Sequence, residues 1–372
     1  MNKVHDITYL DMLQLSSELK RFEGARIEKF YSLGDGVFRF KLSKRGEQQY
    51  ALVVKLCAYA CITNLEEKSD SIDQFTAAVR KHISGAMISS ISLYNDDRIL
   101  SISSKKGDTE FNILIEMFGK GNLIVTDRVM KILSCYMSHV YKDRSVRPRD
   151  TYLPPSTRSI STGDPDFVEK FLSGMNNYKG KTALQSASRL LNMGSVYVSE
   201  AFNRAGLDAE TEKLQEVEVA SLAGKIREIA FEAQEGKVYL LRSDGRLEDY
   251  MLCKPSAKEL EVEERSGLLE TLSEFYAIDA MSVKEERNER AEELEKSIEK
   301  QLSYLDSVDK EILENKRKGE QVYNNMVRFN QLIAYMSKER RATLEEVQER
   351  FPDLKILSID KKNRRIKVEV DA

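Results

Sequence analysis

Apolar residues recur at helical spacing at Leu10, Leu13 and Leu19, with Thr8 before them and Gly24 after, and predict a helix over about 8–23. Three β-leaning runs follow, Arg26–Tyr31, Val37–Leu42 and Tyr50–Leu56, separated by Gly-Asp-Gly at 34–36 and Lys-Arg-Gly at 44–46. Phe75, Val79 and Ile83 are spaced by four and mark a helix over 72–84. Strands resume at 87–94 and 98–103 around the turn Asn95-Asp96-Asp97. Phe111, Ile113, Ile115 and Met117 then alternate toward Gly119-Lys120-Gly121-Asn122, and Leu123–Thr126 leaves it, which is a hairpin. The fold class expected is α+β with a mainly antiparallel sheet.

Beyond Tyr152-Leu153-Pro154-Pro155 the pattern weakens. Residues 157–180 are rich in Ser, Thr, Gly, Asp and Asn and predict a linker or a loose edge of the domain. Two short helices, 182–192 and 196–205, flank Met193-Gly194-Ser195, a candidate helix-hairpin-helix. Amides at the start of its second helix could hold a phosphate, although any helical hairpin looks the same at this level. A helix over 210–232 and a hairpin from Val238 to Leu247 come next. From Ala291 to Met336 the chain keeps a heptad. Ala291, Ile298, Leu305, Ile312, Gly319, Met326 and Ile333 hold one seam position; Leu294, Gln301, Val308, Asn315, Val322, Phe329 and Met336 hold the other. A helix over 283–337 would reach about 80 Å. Two partners fit the seam, a returning antiparallel arm or a second copy in parallel. Phe351–Val370 ends the sequence as the start of a small tip, with Ile366, Val368 and Val370 alternating against polar residues.

Composition narrows the chemistry. The 372 residues are 41% hydrophobic and 32% charged, with a formal net charge of −3, so contacts with nucleic acid must come from local basic patches. The pair Cys57/Cys61 has no second pair beside it and fits two buried thiols in a reducing compartment. No apolar run approaches the roughly 20 residues of a membrane span or the form of a signal peptide, so the protein is expected to be cytoplasmic, with no membrane partner. Three histidines and the lack of a recognisable nucleophile-base motif argue against a metal site, a cofactor and an enzyme. Residues 128–149 hold Arg128, Lys131, Lys142, Arg144, Arg147 and Arg149 against Asp143, with Tyr136 and Tyr141 among them. That strip suits a phosphate backbone with exposed bases, and equally a solvated loop. Lys361, Lys362, Arg364, Arg365 and Lys367 make the tip basic as well.

Several stretches resemble signatures of one family. They are Leu10-Asp11, FTAAVRKH at 75–82, Asp97-Arg98, EMFGKGNLIVTD at 116–127, RDTYLPP at 149–155, LNMGSVYVSEAFNRAGLD at 191–208 and KGEQVYNN from 318. In this order they are similar to the NFACT family of ribosome quality-control factors, which includes the RqcH, NEMF and fibronectin-binding A-like proteins. The resemblance implies binding to a large ribosomal subunit still carrying peptidyl-tRNA. It also implies recruitment of tRNA for template-free addition of C-terminal residues, alanine in prokaryotes, with peptide-bond formation left to the ribosome. Asp97 and Arg98 fall on the family's tRNA determinant, expected as an exposed pair, and Asp11 on a further acidic position. With the basic strip, the expected tRNA-binding set is Asp11, Asp97, Arg98, Lys120, Arg128, Lys142, Arg144, Arg147 and Arg149, and the expected rRNA-binding set Lys361, Lys362, Arg364 and Arg365.

The organisation expected is an NFACT-N domain (1–175, similar to the glycosylase N-domain), a helix-hairpin-helix domain (176–235) and a short hairpin with connecting segment (236–282). The first coiled-coil arm (283–337) and the start of the tip, or middle, domain (338–372) complete it. The family's returning arm and NFACT-R domain are absent from the sequence, and the open seam predicts self-association. Two rival classes are a nucleic-acid enzyme related to formamidopyrimidine-type DNA glycosylases and a surface fibronectin-binding adhesin. The first needs an N-terminal proline where this chain has Asn2.

Overall fold

Helix α1 (Tyr9–Leu19) opens on a capping box: the Asp11 amide donates to Thr8 Oγ1 at 3.3 Å and the Thr8 amide to the Asp11 carboxylate at 2.7 Å. A 3₁₀ turn, Lys20–Phe22, extends it. The computed structural model describes residues 4–64, 72–156, 159–177, 181–256 and 260–369, with the backbone alone over 283–287. Asn2, on which the glycosylase comparison turned, lies outside the described residues, as do 157–158 and 178–180 of the expected linker and Val370 of the tip. The chain divides into two units, one through Met281 and one from Ser282.

In the first unit, β1 (Arg26–Gly34), β2 (Val37–Ser43), β3 (Tyr50–Lys55) and β4 (Tyr59–Thr63) form a meander. Helix α2 (Gln74–Ile83) follows. A second meander runs through β5 (Met87–Leu93), β6 (Ile99–Lys106), β7 (Thr109–Glu116), β8 (Asn122–Asp127) and β9 (Ile132–Cys135). The nine strands are ordered β4-β3-β2-β1-β5-β6-β7-β8-β9, all neighbours antiparallel. The halves face each other. Phe38 of β2 stacks edge-on against Tyr136 beyond β9, with ring centroids 5.0 Å apart, and Phe75 of α2 fills the space beside both. Burial of Phe30, Phe38, Phe40, Ile113 and Leu123 in one cluster supplies the main driving force. A short hairpin, β10 (His139–Val140) with β11 (Ser145–Val146), closes over the edge.

The remaining elements of this unit are α3 (Phe167–Asn177), α4 (Ala183–Leu190), α5 (Ser195–Ala205), α6 (Glu216–Glu232), β12 (Lys237–Ser243), β13 (Arg246–Met251), β14 (Glu261–Ser266) and the start of α7 (Leu268–Asn324). Several expectations need correction. The linker contains α3, whose Phe167 and Phe171 are fully buried beneath a Ser- and Asn-rich outer face. The helix expected from 210 starts at Glu216. The segment expected to connect hairpin and arm is β14 plus helix. β14 reads as charged because it pairs charge across the sheet, Lys237 with Glu264 and Arg242 with Glu263. The long helix begins at Leu268, where Leu268, Leu272, Phe275 and Tyr276 are buried at helical spacing. Cys57 is half-buried with a positive φ of 63°, at the turn into the unforeseen strand β4, so only Cys61 of that pair is a buried thiol.

The second unit continues α7, interrupts it at Asn325, and resumes as α8 (Met326–Lys338), so the expected single arm is broken at one residue. Helix α9 (Leu344–Arg350) and the hairpin β15 (Lys355–Asp360) with β16 (Arg365–Glu369) pack on α8 around Leu332, Val347, Leu354 and Ile356. Seam residues Leu294, Ile298, Leu305, Ile312, Val322, Met326 and Ile333 are all more than half exposed. No helix among the described residues is long and apolar enough to cross a membrane.

Candidate nucleic-acid interface

Three stretches far apart in sequence meet at one corner of the first unit. Between β5 and β6 the chain turns through Asn95 and Asp96, both at positive φ (61° and 46°), a conformation Asn and Asp tolerate better than most residues. Asp97 then caps its own turn, its carboxylate accepting the Arg98 amide at 2.7 Å. The Arg98 guanidinium donates through Nη1 to the Ile7 carbonyl at 3.2 Å, just ahead of α1. The Asn192 side-chain amide, before α5, reaches the Asp96 carbonyl at 3.4 Å. Gly194 closes the corner: at φ 92°, a Cβ there would sit 2.3 Å from Thr8 Cγ2, so only glycine lets the helical hairpin approach α1. A cavity of about 150 Å³ lies between turn and hairpin, with Tyr9, Asn95, Asp96, Asp164 and Asn192 in its wall.

The Asp97–Arg98 pair is therefore not the exposed pair expected. Asp97 is 7% exposed and Arg98 half-buried, because both bond to their own backbone surroundings. The immediate charge is acidic, from Asp96, Asp97 and Asp164. Burial raises the Tyr9 hydroxyl pKa, and Asp96 and Asp97 raise it further. Such a corner accepts hydrogen bonds from ribose hydroxyls and base amino groups more readily than it binds phosphate.

Asp11 has no surface to offer a ligand. It is fully buried, and its Oδ1 accepts the Tyr197 hydroxyl at 2.7 Å. His5 bridges it to the far end of the unit: Nε2 is 3.3 Å from Asp11 Oδ2 and Nδ1 is 2.7 Å from Asp249 Oδ1. Burial opposes charging of His5, but hydrogen bonds to the two carboxylates outweigh it and raise its pKa to about 10. Burial likewise pushes the Asp11 carboxyl up, and the charged His5 with the Tyr197 and Thr8 bonds overcomes this and holds it below the ordinary value. His5, Tyr197 and Asp249 were not foreseen as a group. The partners lie up to 244 residues apart, so no local spacing announces them.

The basic strip is also divided. Arg144 is buried and pairs with Glu116, Nη1 to Oε1 at 2.5 Å, while the Tyr152 hydroxyl donates to the same oxygen at 2.9 Å. It belongs to the core. Lys120, in the β7–β8 turn, and Lys142, in the β10–β11 loop, are exposed at the same end of the sheet as the Asp97 turn. The Met117 amide donates to the Arg98 carbonyl at 2.8 Å and links the two turns directly. Arg128 sits at the opposite end of β8, roughly 25 Å from Lys120 along the strand, and faces Glu110 at 3.4 Å. Arg147 and Arg149 are exposed on the returning segment beside β9. In the second unit Lys361, Lys362, Arg364 and Arg365 are all exposed around the β15–β16 loop. Among the described residues no cluster of His, Cys, Asp and Glu could hold a metal.

Two solved structures are similar in fold. The fibrinogen binding protein from Staphylococcus aureus has a TM-score of 0.60 at 18% identity, covering 72% of this chain and 98% of that one. The N-terminal part of the fibronectin/fibrinogen-binding protein from Streptococcus suis has a TM-score of 0.57 at 20% identity, covering 73% and 99%. These likenesses speak for the fold alone. Among curated proteins, the archaeal Rqc2 homolog aRqcH of Methanocaldococcus jannaschii is 22% identical over 351 residues, 90% of this chain and 52% of that protein. Ribosome quality control complex subunit 2 of Schizosaccharomyces pombe is 27% identical over 132 residues, 34% of this chain and 13% of its own length. The chain thus spans about half the archaeal relative and a smaller part of the yeast one. The family model for the NFACT N-terminal and middle domains matches residues 8–356, from the cap of α1 into β15. On that match, which covers most of the chain, the chain belongs to the NFACT family.

Proposed function

We propose that this chain acts in ribosome quality control in the cytoplasm. It would bind an obstructed large subunit carrying peptidyl-tRNA and recruit tRNA for template-free C-terminal tailing with alanine, with the ribosome forming the peptide bonds. Family membership and the names of the curated relatives support the setting. The observation that carries the tRNA reading is the corner where Arg98, Asp97, the start of α1 and the α4–α5 hairpin are locked together, with Lys120 and Lys142 beside it. Asn95, Asp96 and the rest of the cavity wall supply acceptors for ribose and base, Asp97 holds the turn that carries them, the lysines neutralise phosphate, and Asp11 serves by holding the segment whose Ile7 carbonyl anchors Arg98.

Two measurements test this. Affinity for tRNA should fall steeply as salt rises; a flat response removes phosphate from the contact. Asp97→Ala combined with Arg98→Ala should abolish tail synthesis while circular dichroism shows an unchanged fold. Tailing that survives the double substitution removes those residues from the site.

A further inference from the structure

The loop between β15 and β16 runs Lys361-Lys362-Asn363-Arg364, and Asp360 pins its start. The Asp360 carboxylate accepts the amides of Lys362 and Asn363, each at 3.1 Å, and the Asn363 side-chain amide at 2.8 Å. Its negative charge is thereby committed to the loop backbone. Arg364 closes the loop at φ 53°, a left-handed conformation that glycine or asparagine adopts at far lower cost. An arginine placed where the backbone favours glycine points to a use for its side chain.

That side chain borders a groove of about 250 Å³ between the loop and the end of α8. Ile333, Met336, Ile359 and Ile366 contribute the apolar wall. Arg340, Lys361, Arg364 and Arg365 supply the cations, all exposed. Lys361 Nζ donates to the Arg341 carbonyl at 3.1 Å. The ion pairs of the tip run elsewhere, Arg328 with Asp353 and Lys355 with Glu369, and none engages these three arginines among the described residues. Charge alone would admit any polyanion. An apolar wall among guanidinium groups is more selective. A nucleotide swung out of its stack is a flat, largely apolar body with a phosphate on either side. Guanidinium planes stack on its base, and guanidinium forks chelate the phosphate oxygens in pairs. An acidic peptide supplies carboxylates without the flat body.

We propose that this groove takes one unpaired nucleotide of an RNA, its base against Ile333, Met336, Ile359 and Ile366 and its flanking phosphates on Arg340, Arg364 and Arg365. The proposal rests on the reading above that the protein grips RNA, and adds that the tip selects a flipped-out base over a smooth duplex.

The test uses the full chain and three short RNA duplexes alike except at one position: a bulged nucleotide, an abasic bulge and no bulge. The bulged RNA should bind roughly tenfold tighter than the abasic one, as expected for one stacked base. Arg364→Gly should weaken the bulged RNA about fivefold while the thermal midpoint of the protein stays level or rises, since the loop conformation is relieved. Equal affinity for bulged and abasic RNA, with Arg364→Gly weakening both, overturns the base site and leaves RNA contact at the tip standing. No effect of Arg364→Gly on any of the three overturns both. Polyglutamate displacing the bulged RNA at matched charge would assign the groove to acidic peptides instead. Repeating the series with Arg98→Ala separates these outcomes from loss of binding at the first unit.

Discussion

The two units use charge in opposite ways. In the first, Asp11, His5, Glu116 and Arg144 are drawn inside, each against a partner of opposite sign and further hydrogen bonds, and their charges fix how elements meet. In the second, Arg340, Lys361, Arg364 and Arg365 remain on the surface, and Asp360, which lines the same groove, is occupied by its own loop. Removing one member of a buried pair leaves an uncompensated ion in a medium that solvates it poorly, whereas a surface cation is solvated with or without a partner. An identical residue type thus reports on folding in one unit and on a ligand in the other.

The largest expected effect is at Glu116→Ala, which strands Arg144 and should cost about 3–5 kcal/mol by urea unfolding. Lys361→Ala should stay within about 0.5 kcal/mol. If the two cost the same, the contrast between the units is gone.

Next comes pH. His5 is raised from 6.5 to about 10, so its contribution is complete below 6.5 and is lost as pH climbs toward 10. Asp11 is depressed, so its share is present above the ordinary carboxylate range and disappears as pH drops through its folded value. Stability should therefore fall on the alkaline side by on the order of 3 kcal/mol, and His5→Gln should remove that slope; an unchanged slope would mean that His5 is not the group responsible.

A smaller effect concerns the exposed seam. Sedimentation should reveal concentration-dependent association, and Ile298→Glu with Leu305→Glu should reduce it. A species that is monomeric at every concentration shows that the seam is covered another way. Smallest of all, Lys142→Ala should lower the slope of log affinity for tRNA against log salt by about 1, with no change in thermal midpoint. An unaltered slope takes Lys142 out of the contact.

Sequence alone was enough for most of the antiparallel meanders, because their alternation and Gly- or Asp-bearing turns are local signals; the strands at 87–93 and 99–106 fall close to where they were expected, whereas the short strands β4 and β9 were missed. It also sufficed for the helical hairpin, whose Gly194 and Gly206 mark its turn and its end. It was not enough for β14, whose stability comes from charge pairs across the sheet, nor for α3, which hides two phenylalanines beneath a polar face. At the site, residue types were legible and their burial was not. Asp11 and Arg144 look like surface charges in a list of residues, and only the approach of Tyr197, Asp249 and Glu116 from distant parts of the chain takes them inside.

One property of the nine-stranded sheet bears on how it assembles. Every neighbouring pair of strands is also consecutive in sequence, with the sole exception of β1 and β5. That junction is short: Arg26 pairs with Met87, supported by a few amide bonds such as Gly24 to Ile88 and Ile27 to Ala86. Each meander can zip through short loop closures, which are fast and entropically cheap, whereas the junction must wait until the chain containing α2 has come round. The junction is then the late step in folding. A slackened β1–β5 contact would speed unfolding while leaving the rate of collapse nearly untouched.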